Sequence, residues 1–155
     1  MKALFTNYWL MSAVFGWLVA QILKIFTGIF RLREFSIRSM FFGTGGMPSS
    51  HTASVTGLCT AVAITEGFGS LAFAITGLLC IIVMNDATGV RRETGKQSKA
   101  LNLLIRNLLM DSHGKEKLDE NFRELIGHTP LQVACGAVTG IVVALITSLI
   151  PVFGV

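Results

Sequence analysis

Three stretches of this chain carry no charged residue, and each is long enough to cross a bilayer. They are Ala3 to Leu23, Gly67 to Asn85 and Leu131 to Val155, with 21, 19 and 25 residues. A hydrocarbon core of about 30 Å takes roughly 20 apolar residues as a helix. A fourth stretch, Gly43 to Thr65, lacks full charges but contains His51. Proline suits a first helical turn and the glycines before it suit a loop, so its helix is predicted to begin near Pro48. From Ser49 to Thr65 it has 17 residues, a short span whose start sits at or below the headgroups. The composition agrees. At 52% hydrophobic, 14% charged and mean hydropathy +0.64, it excludes a disordered tail and argues against a water-soluble enzyme. The expected fold class is all-α, an integral membrane helical bundle with about four transmembrane helices and a cytoplasmic amphipathic segment. The chain reads as a single membrane domain, 1–155, with spans near 3–25, 48–66, 68–87 and 130–152 and a loop over about 88–129. The first run is too long for a cleaved signal and no Ala-x-Ala-like site follows it, so it reads as a retained helix.

Charge placement sets the expected topology. Of 13 basic residues, Lys24, Arg31, Arg33 and Arg38 follow the first span. Arg91, Arg92, Lys96, Lys99, Arg106, Lys115, Lys117 and Arg123 lie between the third and fourth. The turn at Glu66-Gly67-Phe68-Gly69 has no Lys or Arg. With four spans the two basic loops share one face, which the positive-inside tendency makes cytoplasmic, with both termini outside. The expected location is a bacterial plasma membrane, and no nucleic-acid partner is expected.

Within the second basic loop, Leu101, Leu104, Ile105 and Leu108 recur at i, i+3, i+4, i+7. That amphipathic helix either lies in the interface or packs on the bundle. In the last span Gly136 and Gly140 form Gly-x-x-x-Gly, which permits close helix approach and would permit a homo-oligomer. Cys59, Cys80 and Cys135 sit in apolar runs without C-x-x-C spacing or a neighbouring His, so they read as small buried residues. They support no zinc site, and no metal or cofactor is expected.

Three polar clusters fall at the cytoplasmic ends of the spans. Gly43-Thr44-Gly45-Gly46-Met47-Pro48-Ser49-Ser50-His51 runs a glycine-rich loop into a helix start. Unpaired N–H groups and the positive helix end there attract an anion, Ser49 and Ser50 add hydroxyls, and His51 titrates. A simple capped turn is the alternative. Asn85 to Arg92 ends the third span. Arg91 and Arg92 suit a membrane boundary as snorkelling anchors, but Asp86 near the apolar end needs a partner or a function. Glu124 to Pro130 opens the fourth span and holds His128, whose plain alternative is a solvent-facing interfacial histidine. His113, in a charged loop, reads as ordinary. Two histidines, several arginines and a helix start converging on one face suit phosphate chemistry. No Walker-type loop occurs.

Met47-Pro48-Ser49-Ser50-His51 resembles the Pro-Ser-Gly-His motif of the type 2 phosphatidic acid phosphatase and vanadium haloperoxidase superfamily. Together with Asn85-Asp86-Ala87-Thr88-Gly89-Val90-Arg91-Arg92 and Glu124-Leu125-Ile126-Gly127-His128-Thr129-Pro130-Leu131, it resembles that superfamily's divergent branch of small membrane proteins, from about Gln21 to Ile146. The resemblance implies a metal-independent phosphatase or pyrophosphatase acting on lipid phosphates. It implies phosphate binding by Ser49 and Ser50, a general acid at His51, phosphate binding by Arg91 or Arg92, and a nucleophile at His128 that becomes a phospho-histidine. Lys24 and Arg31 match the superfamily's first motif at the right seven-residue spacing, with Leu32 where proline is usual. Other departures are larger. Arg92 and His128 lie 36 apart instead of six. Gln132 stands where an orienting Asp is usual, and Asp86 is the candidate to substitute for it. The parent fold has six spans.

Three readings stay open at this point. One is a lipid-phosphate phosphatase whose phospholipid or polyprenyl phosphate lies with its chains between helices. Another is a non-hydrolytic binding or transport protein that keeps the anion pocket, which Gln132 favours. The last is a metal-dependent transferase using Asp86 with Glu93 or Glu124.

Overall fold

The computed structural model describes residues 2–29, 46–111 and 128–153, with side chains at all of these except Lys2, Ala3, Gly28, Ile29, Arg91 and 106–111. Among the described residues the chain is helical throughout, without a strand. A short helix, α1 (Lys2–Phe5), precedes α2 (Tyr8–Ile29), α3 (Ser50–Glu66), α4 (Leu71–Thr88), α5 (Val90–Asp111) and α6 (Pro130–Ser148). A single 3-10 turn covers Pro151–Phe153.

Side-chain oxygens decide where these helices start. Asn7 Oδ1 accepts from the Leu10 N–H at 3.0 Å, which separates α1 from α2 inside the first uncharged run. Ser49 caps α3, Ser70 caps α4 and Thr129 caps α6. The helix expected near Pro48 therefore begins at Ser50, with Pro48 ahead of the cap. The proline that occupies a first helical turn is Pro130. Gly67, at φ 78°, ends α3 in a conformation that side chains rarely adopt.

Helix α3 is the centre of the bundle and packs against α2, α4 and α6. Its contacts run backbone to backbone. A Cβ on Gly16 of α2 would lie 2.6 Å from the Ala53 carbonyl oxygen, and one on Gly57 would lie 2.8 Å from that of Ser12. On α6, a Cβ on Gly136 would lie 2.5 Å from the Ser49 carbonyl oxygen, and one on Gly140 would press on Ala53 and Thr56. Gly136 and Gly140 thus seat α6 on α3 of the same chain, which removes them as the argument for a homo-oligomer. These pairs also fix directions. From Lys24–Ser50 to Trp9–Thr65, α2 runs antiparallel to α3; from Ser49–Gly136 to Thr56–Gly140, α6 runs parallel to it.

The core is built from small and hydroxyl-bearing residues. Ser12, Ser49, Thr52, Ala20, Ala53, Ala61 and Ala144 are fully enclosed. Bonds across the interfaces join Tyr8 Oη to the Ala144 carbonyl at 2.9 Å, Cys80 Sγ to that of Val55 at 3.1 Å and Thr56 Oγ1 to that of Ala137 at 3.3 Å. Large aliphatic side chains point outward instead: Ile22 on α2, Ile75, Leu78 and Ile82 on α4, Val138, Leu145 and Ile146 on α6 are all at least half exposed. A water-soluble bundle would bury such residues; a bundle in lipid has no reason to, and its helices associate through small residues and interhelical hydrogen bonds. Among the described residues three stretches are long and apolar enough to cross a bilayer: Tyr8–Thr27, the one opening with α4 at Leu71, and Pro130–Ser148. Helix α3, with 17 residues and little outward surface, is the shorter fourth member. The molecule is a helical membrane bundle.

Candidate functional site

One end of this bundle gathers parts of the chain that are far apart in sequence. Antiparallel packing brings the C-terminal ends of α2 and α4 to the N-terminal ends of α3 and α6. Main-chain bonds tie the junction. The Ser49 N–H donates to the Gln132 carbonyl at 3.0 Å, and the His128 N–H donates to the Ala87 carbonyl at 3.1 Å. From α2, Thr27 Oγ1 donates to the Met47 carbonyl at 2.5 Å and Lys24 Nζ donates to Ser50 Oγ at 3.1 Å. Two helix starts, each with outward-facing N–H groups and a positive dipole end, therefore share one rim with a lysine.

Within that junction the side chains differ in their surroundings. Ser49 is fully enclosed, and its hydroxyl accepts from Thr52 Oγ1 at 3.0 Å while capping α3. Ser50 is 2% exposed and holds Lys24. His51, one residue further along the helix, is exposed. His128 is 7% exposed, so it is not the solvent-facing histidine that its place in the sequence allowed. Its Nδ1 lies 3.4 Å from Gln132 Oε1, a long contact. Gln132 has a firmer bond: its Oε1 accepts from the Thr129 N–H at 2.8 Å, and Thr129 Oγ1 accepts from the Gln132 N–H. This is a reciprocal capping box that starts α6. The pattern Thr-x-x-Gln is itself a helix-start signature in the sequence, where Gln132 stood out only as the residue in place of an orienting Asp.

Asp86 is half-buried on the last turn of α4, beside the Ala87 carbonyl that receives the His128 N–H. Arg92 is exposed and stands beyond Gly89 on the first turn of α5, not on the end of the third span. The backbone of Arg91 precedes it on the same turn. Arg31, Gly43 to Gly45, His113 and Glu124 lie outside the described residues. Glu93 is exposed and bonded to Lys96 at 2.6 Å, which holds its carboxyl below the usual range. Among the described residues no three His, Cys, Asp or Glu side chains come together as a metal site. The donor set at the junction is one of hydroxyls, imidazoles, an ammonium and helix N–H groups, which suits an anion such as phosphate.

The chain has relatives among known proteins. The profile described as the divergent PAP2 family matches residues 5–143. The chain is 37% identical over 152 residues to the uncharacterized membrane protein YuiD of Bacillus subtilis (strain 168), covering 92% of this chain and 95% of that one. No solved structure matches the chain significantly. A profile and a relative that each extend over nearly all of the sequence establish its kinship: the chain belongs to the divergent PAP2 family, a branch related to the phosphatase superfamily.

Proposed function

We propose that this protein is a lipid-phosphate phosphatase embedded in the bilayer as one membrane domain, hydrolysing a phospholipid phosphate or a polyprenyl phosphate or pyrophosphate. The observation that carries the reading is the pair of main-chain bonds, Ser49 to Gln132 and His128 to Ala87, because they hold the segments bearing Ser50, His51, Asp86 and His128 at one rim. In the proposed reaction, Lys24, Ser50 and the N–H groups of α3 bind the phosphoryl oxygens, with Arg31, Arg91 and Arg92 as further cations; Ser49, expected to join them, is enclosed and instead fixes the start of α3. Gln132 Oε1 beside Nδ1 favours the tautomer protonated there, which makes Nε2 of His128 the basic nitrogen. Nε2 attacks phosphorus; the P–O bond to the lipid breaks; His51 protonates the leaving oxygen. Water then attacks the phospho-histidine, giving its proton to His51, and inorganic phosphate leaves with His128 restored. The preponderance of Lys and Arg in the adjoining loops favours the cytoplasmic face for this rim.

Purified protein in detergent, offered a panel of lipid phosphates, is expected to release inorganic phosphate, with release lost in His128→Ala. Absence of release across the panel overturns the proposal.

A second reading has its own support. Gln132 is engaged in the capping box and brings no negative charge to His128, so the imidazolium that builds up in the reaction is less stabilised than beside a carboxylate. On this reading the protein binds or carries lipid phosphates without hydrolysing them. It predicts binding that survives His128→Ala and no turnover in either form.

A further inference from the structure

Helix α5 leaves α4 after the single residue Gly89 and packs substantially on α4 alone among the described helices. It is not a fifth wall of the bundle. At 3.6 residues per turn, Leu101, Leu104 and Ile105 fall within about one third of its circumference, on the face that Val90 opens and Thr94 and Gln97 interrupt, while the exposed Leu103 falls outside it. Val90 is 67% exposed, Leu101 43% and Leu104 58%. Arg92, Lys96 and Lys99 fall together in the opposite sector, and all three are exposed. Of the two places its periodicity allows, the bundle and the interface, the first is not taken up by any described helix.

The occupant of the apolar stripe follows from where the helix begins. Helix α4 exposes Ile75, Leu78, Ile81 and Ile82 as a membrane-spanning helix does, so Val90 stands at the bilayer boundary. A helix that turns along the surface there puts its stripe into the headgroup–acyl boundary and keeps its cations within a Debye length of the headgroups. Three basic side chains against Glu93, itself paired to Lys96, complement a negative surface.

We propose that α5 docks on the anionic leaflet of the bilayer that holds the bundle, its apolar stripe inserted and its lysines drawn to acidic headgroups, as a sensor of lipid charge beside the candidate site. The docking involves no turnover and stands whether or not the site hydrolyses phosphate.

Amide hydrogen exchange on the full chain tests it, with one copy per nanodisc of phosphatidylcholine alone or of phosphatidylcholine mixed with phosphatidylglycerol. Amides of 90–105 are expected to exchange more slowly in the anionic discs, with those of α3 as an unchanging reference. Each of Lys96→Gln and Lys99→Gln is expected to reduce the added protection about fivefold. Leu101→Ser with Leu104→Ser is expected to remove protection in both lipids. Equal protection in the two disc types overturns the proposal, as does protection that persists in detergent or appears only with two copies per disc. The last two outcomes would give the stripe to another segment of the chain or to a second copy.

Discussion

The His128 N–H donates to the Ala87 carbonyl at 3.1 Å, so main-chain atoms bond the start of α6 to the end of α4. Substituting the His128 side chain leaves this bond in place. His128→Ala is therefore expected to remove phosphate release while the protein keeps its monodisperse elution and its thermal transition within a few degrees. His51→Ala, at an exposed position, is expected to lower kcat by about 10²- to 10⁴-fold with little change in KM. Single-turnover kinetics and a melting curve on each variant check both.

Lys24 reaches Ser50 Oγ from another helix. Lys24→Met keeps the length of the stem and removes the cation. A charge-assisted hydrogen bond contributes about 1.5–3 kcal/mol, so the apparent affinity for a lipid phosphate is expected to fall at least about tenfold. Arg92→Gln, exposed on α5, is expected to do less. Binding titrations in detergent distinguish them, and equal affinities for Lys24→Met and the parent would remove Lys24 from the site.

Gly136 and Gly77 make a matched pair. A methyl on Gly136 meets the Ser49 carbonyl, whereas one on Gly77 meets nothing within 4 Å. Gly136→Ala is expected to cost about 1–3 kcal/mol through overpacking. Gly77→Ala is expected to be neutral or to gain about 0.5–1 kcal/mol through helix propensity. Thermal unfolding in one detergent decides, and equal melting temperatures would contradict the seating of α6 on α3.

Gln132→Glu keeps a capping-box acceptor for the Thr129 N–H and adds a negative charge near His128 Nδ1. A nearby carboxylate favours the imidazolium and raises the histidine pKa. Since the neutral imidazole attacks, activity is lost as pH falls through that pKa. The acid limb of the pH–rate profile is therefore expected to move to higher pH, and an unmoved limb would separate position 132 from the nucleophile. Thr129→Ala, which breaks the box from its other side, is expected to cost about 1 kcal/mol of stability.

Much of this architecture was legible from hydropathy, because a bilayer demands long uncharged helices. The Gly-x-x-x-Gly pair was legible as a close approach, but its neighbour was not, since α3 carries little apolar periodicity to show which helix it embraces. The limits of α3 were legible all the same, read as Ser49 to Thr65 and found as Ser50–Glu66, because Pro48 and the glycines before it mark a helix start; that Ser49 is the cap depends on one hydroxyl. Asn7 was passed over for the same reason, a single capping oxygen inside an otherwise uniform apolar run. At the candidate site, His51, His128 and Ser50 stood out as polar residues near helix starts. The Lys24–Ser50 bond depends on the antiparallel register of α2 and α3, which periodicity does not give. Gln132 stood out for the residue it replaces, while its service to Thr129 is a local matter of three residues.

The bonds that tie α3 to α6 and α6 to α4 at this rim are made by peptide groups, which survive any side-chain change short of proline. Architecture and chemistry can therefore part company over evolutionary time. A lineage can change an imidazole or an amide side chain and lose turnover in one step, yet pass on an intact anion cradle for some other use.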